Sequence, residues 1–197
     1  MIIPFYSLSN PGLSLILLFS KPNRKYKPAE IKIRCGEWDI SDDIEERYDI
    51  QERDVDVVSI HPLYTEGRKN NLRLYHDVAL VHTTEEFEIA PNVNTMCLPD
   101  SVNEDNFSEK NCHTMGWGTL RENDTHAVEI ESYMKKVVLN RVDNDQCESI
   151  LQSRDETPDR FKLHSSFMCA GGRKGEDVCR GDGGGPLVCQ QQGDKHK

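Results

Sequence analysis

Apolar and polar residues alternate in several short stretches of this chain, and the alternation predicts β-strands. Residues 31–38 alternate as a half-buried strand does. Residues 55–62 predict a second strand that a proline ends, and residues 77–81 predict a third that is apolar enough to be buried on both faces. Short strands joined by polar turns, such as the acidic loop at 39–49, are typical of an all-β barrel.

The first 29 residues show no such alternation. Residues 13–19 are an apolar run that is too short to span a bilayer and that no basic residue precedes. This run is consistent with a poorly formed signal peptide and with a buried strand, and the sequence does not decide between the two. We therefore divide the chain into a poorly defined N-terminal segment, 1–29, and one domain, 30–197.

The composition limits the class of partner. With 197 residues and 36% hydrophobic content, the chain has room for one substantial domain. Its 24 Lys and Arg residues against 34 Asp and Glu residues give a net charge of −10. This charge argues against a nucleic acid or an anionic membrane as partner, and we interpret most of the acidic residues as a solvated face.

The seven cysteines predict disulfides in an oxidising compartment, because none of them forms the Cys-x-x-Cys pairs of a zinc site. An odd number leaves at least one thiol without a partner inside the chain. Two glycosylation sequons, at Asn106 and Asn123, agree with secretion. We therefore expect an extracellular protein.

A glycine-rich stretch at 176–189, Glu-Asp-Val-Cys-Arg-Gly-Asp-Gly-Gly-Gly-Pro-Leu-Val-Cys, carries the most specific motif. It resembles the nucleophile loop of the chymotrypsin and trypsin family, Gly-Asp-Ser-Gly-Gly-Pro-Leu. In that loop the serine attacks the scissile carbonyl while backbone N–H groups bind the developing oxyanion. Gly183 occupies the serine position and Gly181 belongs to the oxyanion loop. Gly183 has no side chain, so the resemblance implies a loop without a nucleophile.

Other motifs extend the resemblance over about residues 31–190. They lie at 34–39 (Arg-Cys-Gly-Glu-Trp-Asp), 60–64, 76–80 (His-Asp-Val-Ala-Leu), 96–99, 112–118 (Cys-His-Thr-Met-Gly-Trp-Gly), 135–139, 145–147 and 167–172. The Gly-Glu-Trp-Asp motif, residues 161–172 and the glycine in place of serine resemble the clip-domain serine protease homologues of arthropods, such as the prophenoloxidase-activating factors. The implied fold is all-β, a trypsin-like double six-stranded β-barrel.

The departures from the family pattern predict an incomplete fold. The Ala-Ala-His-Cys segment with the catalytic histidine, the Ile-Val-Gly-Gly activation sequence, the clip domain and the family's last strands are not found in the sequence. We count three strands for the first barrel and four for the second where the family has six each. We expect a partial trypsin-like domain, incomplete at both ends, with neither barrel closed; a fragment and a short isoform stay open.

Of the three catalytic groups that the family uses, the motifs preserve one. Asp77, in His-Asp-Val-Ala-Leu, takes the place of the aspartate that orients the catalytic histidine. Without that histidine, a buried, hydrogen-bonded carboxylate that helps to join the two barrels is the favoured interpretation. The seven histidines of the chain lie outside any Ala-Ala-His-Cys context, and we interpret each as a surface or turn residue. We therefore predict no functional catalytic residue.

Two further carboxylates take family positions in the same loop. Asp177 lies six residues before Gly183, where trypsin-like relatives keep the carboxylate that selects Arg or Lys side chains. A solvated carboxylate is an equally good interpretation. Asp182 takes the place of the aspartate that receives the new N-terminus after activation cleavage, and here we expect it to be an unpaired buried charge, which is costly.

The resemblance also implies a metal site and a set of disulfides. Glu37 and Asp39, with the acidic loop, resemble the calcium-loop region of trypsin-like proteases, although a solvated loop is more common. No cofactor is required on this interpretation, and structural calcium is a candidate. The implied disulfides are Cys112–Cys189 and Cys147–Cys169, which leaves Cys35, Cys97 and Cys179 unpaired in this chain.

The function implied by the resemblance is binding without cleavage. We expect a catalytically inactive serine protease homologue that acts as a cofactor or regulator in an extracellular cascade of arthropod immunity, notably prophenoloxidase activation and melanisation. Its partners would be a protease or a zymogen, with no nucleic acid and no membrane. Two alternatives remain: an active trypsin-like endopeptidase, and a truncated product without independent function.

Overall fold

The computed structural model describes residues 13–16, 27–41, 48–65, 75–96, 112–119, 132–153 and 161–190, and of residues 13–16 only the backbone. Cys97, Asn106, Asn123 and the acidic residues 42–47 lie outside the described residues. In the described part, no helix has the length and the apolar character that crossing a membrane requires.

Four antiparallel strands form a sheet in the N-terminal half, in the order β1-β4-β3-β2. Their bounds are Leu13–Ile16 for β1, Lys32–Cys35 for β2, Gln51–Ile60 for β3 and Ala79–Thr83 for β4. A 3-10 turn at Pro28–Glu30 precedes β2. The three strands predicted from the hydrophobic pattern are all present, as β2, β3 and β4. The fourth strand, β1, comes from the apolar run for which the sequence left a strand and a signal peptide open.

Buried side chains at alternate positions pack β2 against β3. Ile33 and Cys35 point into a core that Val55, Val81 and Val93 complete. Each fully buried aliphatic side chain stabilises the fold by about 1.5–3 kcal/mol. On the opposite face the cations of β2 meet a carboxylate of β3, and the shortest of these contacts is the 2.7 Å pair of Lys32 with Glu52. This pair is exposed, so it contributes little, and the core decides the register.

Five short strands and one helix make up the described C-terminal half. A three-stranded sheet has the order β6-β5-β9, and β7 pairs with β8. The helix α1 begins after Asp143, whose carboxylate caps the N–H groups of Asp145 and Gln146. The bounds are His113–Gly116 for β5, Lys135–Val138 for β6, Arg141–Val142 for β7, Asn144–Gln152 for α1, Cys169–Ala170 for β8 and Leu187–Val188 for β9. We predicted four strands for this half, and the described part has five short ones.

Hydrogen bonds join the two halves next to the Gly-Glu-Trp-Asp motif. The Trp38 carbonyl accepts from the Met134 N–H at 2.8 Å and from the Trp117 indole at 3.2 Å. The Ile40 N–H donates to the Ser132 carbonyl at 2.9 Å. Within the described part, neither group of strands closes into a barrel, as we expected.

Candidate functional site

A disulfide and a backbone hydrogen bond position the glycine-rich loop. Cys112, fully buried at the start of β5, is bonded to Cys189, the residue after β9. The Thr119 N–H donates to the Arg180 carbonyl at 3.0 Å. The loop at 179–186 is therefore fixed at both ends against the segment that contains the Gly-Trp-Gly motif.

The carboxylate of Asp182 organises this loop from inside. Its Oδ1 accepts from the Gly118 N–H at 2.8 Å, and its Oδ2 accepts from the Cys179 N–H at 2.9 Å. The expectation of an unpaired charge is therefore wrong. The loop turns back so that two backbone donors compensate the carboxylate, and bonds of this charge-assisted kind are stronger than neutral ones.

Two glycines of the Gly-Trp-Gly motif make room for Asp182. A Cβ added at Gly118 would lie 2.5–2.6 Å from three atoms of the Asp182 carboxyl group, and one at Gly116 would meet the Asp182 Oδ1 as closely. Neither glycine has a positive φ, so the reason for glycine at these positions is space and not backbone conformation. The Gly-Trp-Gly motif is visible in the sequence, but the space that its glycines leave for Asp182 was not predicted.

At the tip of the loop, Gly183 is exposed and presents backbone alone. Gly181 and Gly184 adopt φ values of 104° and 92°, which an L side chain rarely adopts. Within the described part, the N–H groups of Gly181 and Gly183 donate to no acceptor. The loop thus keeps free N–H groups beside a position that has no nucleophile.

Asp77 lies half-buried in the turn before β4, and burial raises the pKa of its carboxyl. Among the described residues, no group donates a hydrogen bond to it, and no described hydrogen bond links it to the loop of Gly183. We expected a buried, hydrogen-bonded carboxylate, and the described part shows a half-buried one without such bonds. The role of Asp77 as a joining carboxylate stays a prediction.

Asp177 is exposed, and its Oδ1 accepts from the next backbone N–H, that of Val178, at 2.8 Å. A small cavity lies nearby, and Asp177 does not line it; its walls are Val138, Leu139, Asn140, Gly171, Arg173 and Glu176. The position of Asp177 is that of a solvated carboxylate. A role in binding a basic side chain stays a prediction.

Glu37 and Asp39 make contacts within the protein. Burial alone would raise the pKa of Asp39, but hydrogen bonds from Ser41, Tyr133 and Ser132 lower it. Oε2 of Glu37 lies 3.2 Å from the Arg34 guanidinium. In the described ranges, no group of three or more His, Cys, Asp or Glu side chains is arranged to hold a metal ion. Calcium binding, which would also draw on residues outside these ranges, stays a prediction.

The structure contains the two disulfides that the resemblance implied, Cys112–Cys189 and Cys147–Cys169, the second of which ties α1 to β8. Cys35 and Cys179 are free thiols. Burial raises the pKa of Cys35 to about 12, so this core thiol stays protonated and unreactive.

Three histidines that we interpreted as separate surface or turn residues form one cluster instead. His76 stacks on His61 with ring centroids 4.7 Å apart, and His164 meets His76 at 5.2 Å. The pairing of β3 with β4 was a signal for the first contact, because these two histidines flank paired strands. Nothing local in the sequence indicated the second contact.

Antiparallel sheets in two halves, together with a disulfide-anchored glycine loop around an inward-facing aspartate, define a trypsin-like protease domain. The chain belongs to the trypsin family, whose model matches residues 26–195. Among solved structures it is similar to neuropsin, a serine protease expressed in the limbic system of mouse brain. That match has a TM-score of 0.67 at 21% identity, and it covers 92% of this chain and 69% of neuropsin, which supports the shared fold.

Curated relatives place the chain beside clip-domain proteins. It is 39% identical over 165 residues to phenoloxidase-activating factor 2 of Galleria mellonella, which covers 84% of this chain and 51% of that protein. It is 34% identical over 163 residues to inactive CLIP domain-containing serine protease A28 of Anopheles gambiae, a match that covers 83% of this chain and 39% of that protein. It is 29% identical over 169 residues to CLIP domain-containing serine protease B4 of the same organism, a match that covers 82% of this chain and 43% of that protein. The chain thus spans about half or less of the length of these relatives.

Proposed function

We propose that this chain is a catalytically inactive serine protease homologue that acts by binding, as a cofactor or regulator in an extracellular protease cascade of arthropod immunity. The observation that carries the proposal is the glycine at position 183, in a loop that is otherwise held in place. The Asp182 bonds and the Cys112–Cys189 disulfide keep the loop folded without a nucleophile.

Chemistry supports the absence of turnover. Acyl transfer in this family needs a hydroxyl that attacks and an imidazole that takes its proton. Removal of the nucleophile alone lowers turnover by about a million-fold in a protease of this mechanism. The free N–H groups of Gly181 and Gly183 can still bind a carbonyl oxygen, so the site would hold a chain segment without cleaving it.

The relatives support the biological setting. Phenoloxidase-activating factor 2 is named for activation of phenoloxidase. Three other relatives are named inactive CLIP domain-containing serine proteases: A28 and A8 of Anopheles gambiae and A3 of Aedes aegypti. We carry over from them a role in prophenoloxidase activation, with a protease or zymogen as partner. The disulfides suit an oxidising, extracellular compartment.

A labelling experiment tests the proposal against the alternative of an active endopeptidase; the relative B4 is named a serine protease. The oxidised full chain is treated with a fluorophosphonate probe and with peptide substrates that carry Arg or Lys. We expect neither labelling nor hydrolysis. Stoichiometric labelling of the chain would overturn the proposal.

The Gly183→Ser variant is the matched control. The φ of Gly183 is not positive, so a serine fits its backbone. We expect this variant to stay unlabelled as well, because among the described residues no histidine is hydrogen-bonded to residues 179–186. A second assay adds the chain to a prophenoloxidase and its activating protease. An increase in phenoloxidase activity from both the chain and the variant supports a cofactor role, and no effect argues against it.

A further inference from the structure

Three histidines that are distant in sequence meet at the junction of the two halves. His61 follows β3, His76 lies in the turn before β4, and His164 lies between α1 and β8. The His61 and His76 rings stack with 6° between their planes, and His164 approaches His76 edge-on at 86°. All three residues are half-buried. We call these three residues the histidine cluster.

Hydrogen bonds require an unprotonated Nδ1 in two of the rings. The Leu63 N–H donates to Nδ1 of His61 at 3.1 Å, and the Ser166 N–H donates to Nδ1 of His164 at 3.1 Å. An imidazolium has two donors and no acceptor, so a proton on either ring removes that bond. The closed arrangement therefore needs neutral rings.

Ser166 links the cluster across the two halves. The backbone N–H of His76 donates to the Ser166 Oγ at 3.2 Å, across 90 positions of sequence. The same hydroxyl lies 2.9 Å from Nδ1 of His164, and the tautomer of that ring decides which of the two donates. His76 has a φ of 54°, in the left-handed region that costs energy for a non-glycine residue. Contacts to the second half thus hold a strained turn.

The charges around the cluster do not favour a cation. Tyr75 stacks on His164 with centroids 4.0 Å apart, Asp77 follows His76 in the chain, and Lys162 is an exposed residue. Within the described ranges, no carboxylate forms an ion pair with any of the three rings. Burial, with His61 and His164 as neighbours, lowers the pKa of His76 from its ordinary 6.5.

The direction of the pH effect follows from this shift. The unfolded or opened chain binds a proton at His76 more readily than the closed cluster does. The stabilisation is therefore present above pH 6.5, and it is lost as the pH falls below that value toward the pKa of the closed form.

We infer that His61, His76 and His164 form a pH-sensitive joint between the first sheet and the segment after α1. The joint is closed while the imidazoles are neutral. Protonation breaks the bonds from the Leu63 and Ser166 N–H groups to Nδ1 of His61 and His164, and it places like charges on the stacked rings of His61 and His76. Both changes weaken the packing that holds the turn of His76 against the second half.

Amide hydrogen exchange of the full, oxidised chain tests this inference at about pH 5 and about pH 7.5, the range over which histidine titrates. After correction for intrinsic rates, we expect protection in residues 61–65, 75–78 and 164–167 to fall about tenfold at the lower pH, since one or two lost hydrogen bonds change an opening equilibrium by that factor. The strand pair β2–β3 should keep its protection. Equal protection of the cluster at both pH values would overturn the inference.

Asparagine variants identify the groups responsible. In the triple variant His61→Asn, His76→Asn and His164→Asn, the amide oxygens can still accept from the N–H two residues on, Asn tolerates a left-handed φ, and nothing titrates. We expect this variant to lose the pH dependence, and the His82→Gln control on β4 to keep it. If amide protection in the triple variant falls at the lower pH as much as it does in the wild type, the inference is contradicted. If the triple variant does not fold, the single variant His164→Asn replaces it and should show a weaker pH dependence of amide protection. The wild-type measurement at the two pH values still tests the inference by itself.

Discussion

The glycine-rich loop and the histidine cluster are held by opposite means. The loop has a covalent bond, and its one inward charge, on Asp182, is compensated by backbone donors that do not titrate. The cluster has stacked rings whose hydrogen bonds exist only while the rings are neutral. The loop of Gly183 thus keeps a fixed shape, while the junction of the halves depends on protonation.

The largest expected effect breaks the covalent support of the loop. Replacing Cys112 and Cys189 by alanine opens a link that spans 77 residues, and we expect the free energy of unfolding to fall by about 4 kcal/mol. Urea unfolding without reductant measures it. The same change at Cys147 and Cys169, which span 22 residues, should cost about 1 kcal/mol less. An equal or reversed order would contradict a stabilisation that depends on loop length.

A smaller change displaces the carboxylate of the loop. Gly118→Ala places a methyl group against Asp182, and we expect a loss of about 3 kcal/mol in unfolding free energy from the overlap and the weakened hydrogen bonds. Chemical denaturation measures the loss. Gly183→Ala, at the exposed tip with no positive φ, is the control and should cost well under about 1 kcal/mol. Similar losses in both variants would mean that Asp182 does not fill a fixed space.

The smallest expected effect concerns the charge beside the cluster. Because burial raises the pKa of Asp77, its ionisation disfavours the folded state once the pH rises above the ordinary Asp range. Asp77→Asn should therefore raise the unfolding midpoint slightly at pH 7 and leave it unchanged near pH 3, where both forms are neutral. Thermal unfolding at the two pH values measures this. A loss of stability at pH 7 would indicate that the carboxylate is paired in the folded protein.

Much of the fold was predictable because alternation is a local property. The strands β2 and β3 follow from side chains that change face with every residue, and β4 follows from an apolar run; the buried Ile33 and Val81 lie where these patterns put them. The extra strand β1 was not decided by its own residues. A short apolar run becomes a strand only when another strand, here β4, pairs with it.

The candidate site was predictable in its chemistry more than in its contacts. The glycine at 183 and the cysteine pairs follow from the motif and its resemblance to the trypsin family. The partners of Asp182 did not, because Gly118 lies 64 positions away and contributes only a backbone N–H. A motif reports which residue types occur together, and it does not report which donors a carboxylate will face.

The sequence by itself determined that position 183 is a glycine and that strands form at β2, β3 and β4, because the identity of a residue and a local hydrophobic pattern need no neighbours to be recognised. The tertiary structure alone decided that Asp182 is compensated and that His164 joins His61 and His76. Both outcomes depend on segments that are far apart in the chain: Gly118 and Asp182 meet within the C-terminal half, and His76 and His164 meet across the two halves. The free energy of a carboxylate or an imidazole in the folded protein depends on its burial and its hydrogen-bond partners, which are properties of the folded surroundings.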